Sequence, residues 1–226
     1  MAADLPLRKA PPYAAPAFNW TGCYVGVHVG AGGMHDYWTG EHGNGGLAGG
    51  QIGCNYQAGM LVVGIEGEGF WSGIKTNFET NFVIPPFGAV TYETKNKYDY
   101  DVALRLGIAL DRTLIYGKIG WVWGQFDFRF YDSNPGGVPY THTGSSGLSG
   151  LLLGLGAEHA LGGNWSVKFE YNYLNFAARS VAFTHCFLPG ACFHELNESQ
   201  SAEKHIAKLG INYQFGLGKA PVVAKY

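Results

Sequence analysis

The chain has 226 residues, among them 35 glycines, 15% aromatic residues and only 14% charged residues. Soluble domains carry about 25% charged residues, so this composition argues against an ordinary cytosolic surface. The formal net charge of −2 excludes the basic footprint of a nucleic-acid-binding protein. The absence of any apolar run of about 18 residues excludes a membrane-spanning helix.

The chain divides into one central domain and two short tails. Residues 1–18 are rich in proline and alanine, a composition that favours extended chain over a packed core. Residues 217–226 follow the last segment with a strand pattern. We therefore predict an N-terminal tail at 1–18, a single domain at 19–216 and a C-terminal tail at 217–226.

From Trp20 onward, apolar and polar residues alternate with a period of two between breaks rich in glycine, asparagine and proline. This alternation is typical of β-strands with one face in an apolar environment. It predicts eight strands, at residues 20–32, 47–57, 60–74, 96–109, 113–130, 148–160, 164–180 and 203–216.

Short and long connections alternate between these strands. The tight links are at 57–59, 110–113 and 161–164, and the long ones are at 33–46, 75–95, 131–147 and 181–202. This rhythm is typical of outer-membrane barrels, which have short periplasmic turns and long extracellular loops. The sequence thus predicts an all-β fold, an eight-stranded antiparallel transmembrane β-barrel with both tails in the periplasm.

The two faces of the predicted strands differ in chemistry. One face is apolar, as at Val25, Val27 and Val29, while the other carries mid-strand acids and bases in similar numbers, interleaved with glycine. A soluble barrel would turn the apolar face inward, but a narrow polar interior filled by ion pairs and an outer face with aromatic girdles favour a membrane barrel. The expected girdle residues toward the strand ends are Trp20, Trp71, Trp165 and Tyr213.

The fifth predicted strand departs from this alternation. Trp121 and Trp123 share one parity, whereas Phe126 and Phe128 share the other. Either a β-bulge near Gly124 or a strand that extends beyond the membrane would explain the change.

Several segments resemble the opacity-like family of small outer-membrane barrels, and most closely the alphaproteobacterial outer-membrane immunogenic proteins. These segments are 3–6, 8–11, 19–26, 49–56, 63–67 and 209–215. The most specific is the Trp-Thr-Gly-aromatic-Tyr opening at 20–24, in which Cys23 replaces the usual aromatic residue.

The resemblance implies residence in the outer membrane of a Gram-negative bacterium, in contact with lipid and lipopolysaccharide. It also implies assembly by the barrel-assembly machinery, which reads a terminal aromatic residue in this family. Phe215 fits that role, although the chain continues to Tyr226, which could take it instead.

Ten ionisable residues on the polar face form the first candidate site. An eight-stranded barrel is just wide enough inside for side chains to fill it, so we predict an ion-paired plug. An ion path is the alternative, and acid–base chemistry by Glu66 and Glu68 lacks an accompanying nucleophile. The residues are Glu66, Glu68, Asp99, Asp101, Arg105, Lys118, Glu158, Lys168, Glu170 and Lys208.

The four cysteines form two candidate pairs. Cys186 and Cys192 flank a Pro-Gly turn in the last long loop, and an oxidising envelope favours a disulfide there. Zinc binding with neighbouring histidines is the alternative. Cys23 and Cys54 lie near the periplasmic ends of adjacent strands, where we expect a cross-strand disulfide rather than free thiols.

Five of the eight histidines fall in predicted outer loops. Imidazoles bind haem iron and divalent metals, and some members of the resembled family are associated with haemin. Solvated histidines in polar loops are the simpler interpretation, so we predict no cofactor and keep haemin as an alternative. The residues are His35, His42, His142, His185 and His194.

These patterns together predict a structural outer-membrane barrel that presents surface loops, with a filled lumen and no catalysis. A haemin-binding surface protein is one alternative, and a narrow porin-like pore is another. No sequence pattern indicates an oligomeric state.

Overall fold

The computed structural model describes residues 18–36, 42–80, 89–133, 140–188 and 191–215. For residues 181–188 and 191–200, and for a few residues at other strand ends, only the backbone is described. Apart from Phe18, the predicted tails lie outside the described residues. No helix in these ranges is long and apolar enough to cross a membrane.

Nine β-strands make up nearly all of the described chain. Their bounds are β1 Gly22–Asp36, β2 His42–Ala58, β3 Leu61–Ser72, β4 Lys75–Thr80, β5 Ala89–Leu110, β6 Thr113–Ser133, β7 Tyr140–Gly162, β8 Trp165–Leu188 and β9 Ala191–Phe215. β3 and β4 occupy one position of the sheet, because both pair with β5 and only Gly73 and Ile74 separate them.

The sheet closes into a ring of eight antiparallel strands. The hydrogen-bonded order is β1, β9, β8, β7, β6, β5, β3 and β2, with β4 continuing β3, and β1 pairs with β2 as well as with β9. Closure leaves the ring without a free edge, which a bilayer requires because lipid offers no partner to backbone N–H and C=O groups. The predicted eight-stranded barrel is confirmed.

Tight turns form the three short links, as predicted. They lie at residues 59–60, 111–112 and 163–164. Gly59, Asp111 and Gly163 have φ values of 63°, 52° and 58°. This left-handed conformation is open to glycine and tolerated by aspartate, which explains these residue types at the turns.

The four long links, by contrast, are mostly strand, and their prediction as loops was wrong over much of their length. β1 continues to Asp36 and β2 begins at His42, so residues 33–36 and 42–46 of the predicted loop 33–46 are strand. Residues 37–41 lie outside the described residues. β9 likewise begins at Ala191, inside the predicted loop 181–202. Beyond the bilayer both faces of a strand meet polar surroundings, so the period-two hydrophobic pattern fades while backbone pairing continues.

The irregularity expected in the fifth predicted strand lies on its neighbour. β6 is continuous through Gly124, and Phe126 and Phe128 face the interior, at 0% and 7% exposure. The register shift is on β5, where Lys97 is the extra residue between Asn96 and Tyr98. The change of hydrophobic parity therefore marks a change from a polar to an apolar interior layer along a regular strand.

The outward face forms an apolar belt. Val27, Leu104 and Leu155 are 61%, 62% and 69% exposed on the isolated barrel. Along β8 the belt runs from Trp165 to Tyr173. At about 3.4 Å per residue and a tilt near 40°, this stretch spans roughly 20 Å, close to the height of the apolar band of outer-membrane barrels.

A charge placed in the belt should destabilise the barrel. Leu104 faces outward in the middle of β5, and arginine at the bilayer midplane costs about 2–4 kcal/mol. We expect Leu104→Arg to lower the free energy of unfolding in phospholipid vesicles by about this amount, measured by urea titration. Asn77→Arg, exposed on β4 beyond the belt, should cost less than about 1 kcal/mol. An equal loss in both variants would contradict lipid contact at Leu104.

Candidate functional site: the filled lumen

All ten ionisable residues of the first candidate site lie inside the barrel, where each is at most 5% exposed. Strand alternation places them there, because every second residue of a strand points to the same face. β5 thus supplies Asp99, Asp101 and Arg105, and β8 supplies Lys168 and Glu170. The ten residues come from β3, β5, β6, β7, β8 and β9.

Carboxylate and ammonium groups alternate at the centre of this network. Lys118 Nζ lies 2.8 Å from Glu66 Oε1 and 3.1 Å from Glu170 Oε1. Lys168 Nζ lies 2.8 Å from Glu68 Oε1 and 3.2 Å from Glu66 Oε2. Each of these carboxylates contacts more than one cation, which offsets the cost of removing its charge from water.

Lys208 completes the centre by pairing with Glu68 and, at 2.9 Å, with Glu170. Oxygens of Glu66, Glu68 and Glu170 lie within 4.8 Å of one another, a spacing at which carboxylates can hold a metal ion. Three lysines already supply the balancing positive charge there. The geometry is therefore that of an ion-paired plug.

Arg105 links the centre to the periplasmic side of the lumen. Its guanidinium lies 2.8 Å from Glu158 Oε2 and 3.3 Å from Glu66 Oε2. The same group lies over the ring of Tyr116, with its carbon 3.9 Å from the ring centroid. Tyr24 donates a hydrogen bond of 2.6 Å to Glu66 and accepts one from Arg105. Two aromatic rings thus hold the guanidinium in place.

Two glycines make room for these rings. A Cβ at Gly53 would collide with the hydroxyl of Tyr24, and one at Gly156 would collide with the ring of Tyr116. The abundance of glycine on the polar face therefore has a packing reason, since an eight-stranded interior cannot hold a full-sized side chain at every inward position.

Sequence reasoning missed Lys204, which is fully buried and pairs with Asp99. Its inward direction could have been predicted, because Lys204 has the same strand parity as Lys208. It was overlooked because it stands at the start of the predicted segment 203–216, where the alternation is hardest to assign. A second missed contact chain runs from Gln51 to Asn212, at 2.7 Å, and links these amides to the network.

Asp101 differs from the other buried acids. With Lys204 included, five cations face six carboxylates in the described lumen. Within the described part of the chain, neither carboxylate oxygen of Asp101 has a hydrogen-bond partner. Asp101 also lies directly opposite Glu68 in the β3–β5 register. It is therefore the surplus acid of the network.

Apolar layers cover the polar network at both ends. The periplasmic layer contains Trp20, Val62, Ala109, Leu114, Tyr116 and Ala160, with Phe18 packed against it. The outer layer contains Met34, Leu47, Phe70, Ile74, Ala103, Val122, Phe126, Phe128, Leu148, Leu152, Leu174, Phe176, Ala202 and Ile206. The described lumen thus holds three layers of buried side chains.

Trp20 is one of the residues that the sequence analysis misplaced. It was expected in the lipid-facing girdle, but it is 2% exposed and lies in the periplasmic layer. Trp20 precedes β1, so strand alternation does not determine its direction, and it turns into the mouth of the barrel. Trp71 and Trp165 do face outward, at 76% and 48% exposure.

This arrangement holds charges in fixed pairs. Glu66 and Glu68, the carboxylates considered for acid–base chemistry, are buried among lysines and do not border a cleft open to substrate. The chemistry that the geometry supports is mutual neutralisation of buried charges.

The two cysteine pairs have different outcomes. Cys23 and Cys54 are directly opposite in the β1–β2 register and form a disulfide on the outward face. The backbones of Cys186 and Cys192 are opposite each other in the β8–β9 register. Their side chains lie outside the described residues, so that bond stays a prediction.

Two of the five predicted loop histidines meet on the outer wall, beyond the belt. His35 on β1 and His42 on β2 are direct partners, and their rings stack with centroids 4.4 Å apart. The backbones of His142 and His185 are also direct partners, and that of His194 is opposite Thr184. The side chains of these last three histidines lie outside the description.

A closed antiparallel sheet with an apolar belt and a filled polar lumen defines a transmembrane β-barrel. A family model described as outer membrane protein beta-barrel domain matches residues 5–215, and the chain belongs to this family. It is 28% identical over 236 residues to the 31 kDa outer-membrane immunogenic protein of Brucella melitensis, covering 95% of this chain and 93% of that protein. It is 27% identical over 204 residues to the 22 kDa outer membrane protein of Rhizobium leguminosarum, with coverages of 88% and 80%.

Solved structures share the fold. A major outer membrane protein from Thermus thermophilus has a TM-score of 0.57 at 14% identity, covering 85% of this chain and 99% of that one. The outer membrane protease OmpT from Escherichia coli has a TM-score of 0.50 at 8% identity, with coverages of 89% and 99%. The family and the relatives place the chain in the outer membrane of a Gram-negative bacterium, and they confirm the alphaproteobacterial resemblance.

Removing the surplus acid and removing a paired base should have opposite consequences. Asp101→Asn keeps the side-chain shape and removes a charge without a hydrogen-bond partner, so the free energy of unfolding should stay within about 1 kcal/mol of wild type, or rise. Lys168→Met leaves Glu66 and Glu68 short of a cation and should cost about 3 kcal/mol or more. Urea titrations in vesicles measure both, and similar losses would show that Asp101 is charge-paired.

Proposed function

We propose that the protein is a structural component of the outer membrane that holds surface loops outside the cell and neither conducts solutes nor catalyses a reaction. The observation that carries this proposal is the presence of three layers of buried side chains inside the lumen. A permeating ion would have to pass two apolar layers and displace paired charges such as Lys118 and Glu66 between them. A lumen packed in this way serves as the core of the barrel.

The long strands support the presentation of loops. β5 to β9 each have 21 to 25 residues. A strand needs only about 9–11 residues to cross a bilayer. These long strands therefore raise their outer connections above the membrane surface. The relatives from Brucella are named immunogenic proteins, a name consistent with surface exposure of those proteins. We extend surface presentation to this chain on that basis.

Conductance in planar bilayers tests the closed lumen. The folded wild-type protein should give no discrete conductance steps. A variant with alanine at Trp20, Phe126 and Phe176 lacks large side chains from both apolar layers and should give brief conductance events if it folds. Steps of steady amplitude in the wild type would contradict the proposal and favour the porin-like alternative.

The structural role has a separate readout in cells. Loss of the gene should increase the sensitivity of the cells to detergent and EDTA, and the wild-type gene should restore resistance. The Asp101→Asn variant leaves the ion pairs intact, so it should also restore resistance, which would support a structural role. Unchanged sensitivity after loss of the gene would contradict that role.

A haemin-binding surface protein is the second candidate, and the stacked pair of His35 and His42 favours it. One imidazole of the pair could bind haem iron as an axial ligand, while the porphyrin would need apolar cover from neighbouring segments. Haemin titration followed at the Soret band should show weaker binding for the His35→Ala/His42→Ala variant. Wild-type binding by this variant would exclude the pair as the haemin site.

A further inference from the structure

We propose that the outer wall of the barrel carries a site for a divalent transition-metal ion such as Zn²⁺. Its ligands are His35, His42, Glu203 and His205, and Gly33 leaves the space between them open. The site lies outside the lumen, so this inference does not rest on the proposed structural role.

Three of the ligands lie side by side on adjacent strands. Glu203 on β9 is the direct partner of His35 on β1, and His35 is the direct partner of His42 on β2. All three face outward, and His42 is exposed. Direct cross-strand partners have Cβ atoms about 4.5–5.5 Å apart, which allows neighbouring side chains to bind one ion. The stacked rings of His35 and His42 show that these two side chains already meet.

The row nearer the membrane forms the floor of the pocket. There His205 on β9 and Asn44 on β2 flank Gly33 on β1. A Cβ built on Gly33 would have only the carbonyl oxygen of Gly43 nearby, at 3.6 Å. The missing side chain therefore opens the space between the flanking residues. The resulting pocket has a volume of about 310 Å³ and is lined by all four proposed ligands.

Contacts behind two of the ligands resemble the outer shell of metal sites. The hydroxyl of Tyr171 lies 2.6 Å from Nδ1 of His205, which leaves Nε2 as the free ring nitrogen for a metal. The hydroxyl of Tyr173 donates a hydrogen bond of 3.0 Å to Glu203. Hydrogen bonds of this kind orient metal-binding imidazoles and carboxylates and raise their affinity.

The chemistry of the pocket favours a small cation. Imidazole nitrogen and carboxylate oxygen are common zinc ligands. The lining residues include Glu203 and neither lysine nor arginine, so a lipid phosphate would be repelled. The pocket volume of about 310 Å³ has room for a metal ion together with several waters, each of which takes about 30 Å³. Binding requires the rings of His35, His42 and His205 to turn toward Gly33, a motion that surface side chains make within nanoseconds.

The test is a titration of the full-length folded protein, without a polyhistidine tag, with Co²⁺ as a spectroscopic probe and then with Zn²⁺ in competition. Wild type should bind one equivalent at this site with visible Co²⁺ absorption bands. The His35→Ala/His42→Ala variant should lose that absorption. Tyr171→Phe should weaken binding about 10-fold, because it removes a hydrogen bond behind His205.

Two further variants separate the site from general metal binding by histidines. Gly33→Val keeps every ligand, fills the floor and should weaken binding. His159→Ala removes an exposed histidine near the periplasmic turn, beside Thr113, and should bind as wild type does. Heat-dependent gel mobility verifies that each variant is folded. If the His35→Ala/His42→Ala variant misfolds, Gly33→Val and Tyr171→Phe still test whether the metal binds in this pocket.

Retention of wild-type affinity by the double histidine variant would overturn the proposal. Equal losses in His159→Ala and in the pocket variants would also overturn it, because they would indicate binding by scattered histidines. Neither result bears on conductance, so failure of the metal site and failure of the structural proposal are distinguishable.

Discussion

Backbone hydrogen bonding in lipid is the constraint on which the rest of this structure depends. The bilayer core offers no partner to N–H and C=O groups, so a sheet that spans it must close on itself. Pairing of β1 with both β2 and β9 completes that closure. With eight strands, the interior is just wide enough for side chains. Strand number therefore limits the open space that the lumen can offer.

The composition of that core follows from the same closure. Lipid surrounds the barrel, so polar groups must lie inside, and their charges are tolerable there only when paired. The pairs also select the register. A shift of one residue would move Glu66 and Glu68 into lipid and bring Val63 and Ile65 inside, because side chains alternate between faces. Buried charge thus excludes alternative pairings even where its net contribution to stability is small.

Strand alternation explains why the sequence predicted the barrel and its interior so well within the bilayer, and less well outside it. Within the bilayer, the lipid outside the belt and the polar lumen differ strongly. The chemistry of Lys168 and Phe169 is therefore enough to predict which of them faces inward and which outward. Above the belt the environments converge, and the ends of β1 and β9 were predicted as loops. Trp20 was misplaced because it lies outside any strand. Lys204 was missed because it stands at the start of the predicted segment 203–216, although β9 itself begins at Ala191.

The same extension of paired strands determines what the outer wall can bind. His35 and His42 were predicted in an outer loop, but they lie on paired strands, and sheet pairing sets their separation. Glu203 and His205 were not associated with them from sequence, because the contact depends on the extension of β1 to His35 and on the β1–β9 register. A ligand set held by paired backbone loses less conformational entropy on binding than one gathered from loops. The wall between belt and loops is therefore better suited to a small, geometrically demanding ligand than the loops are.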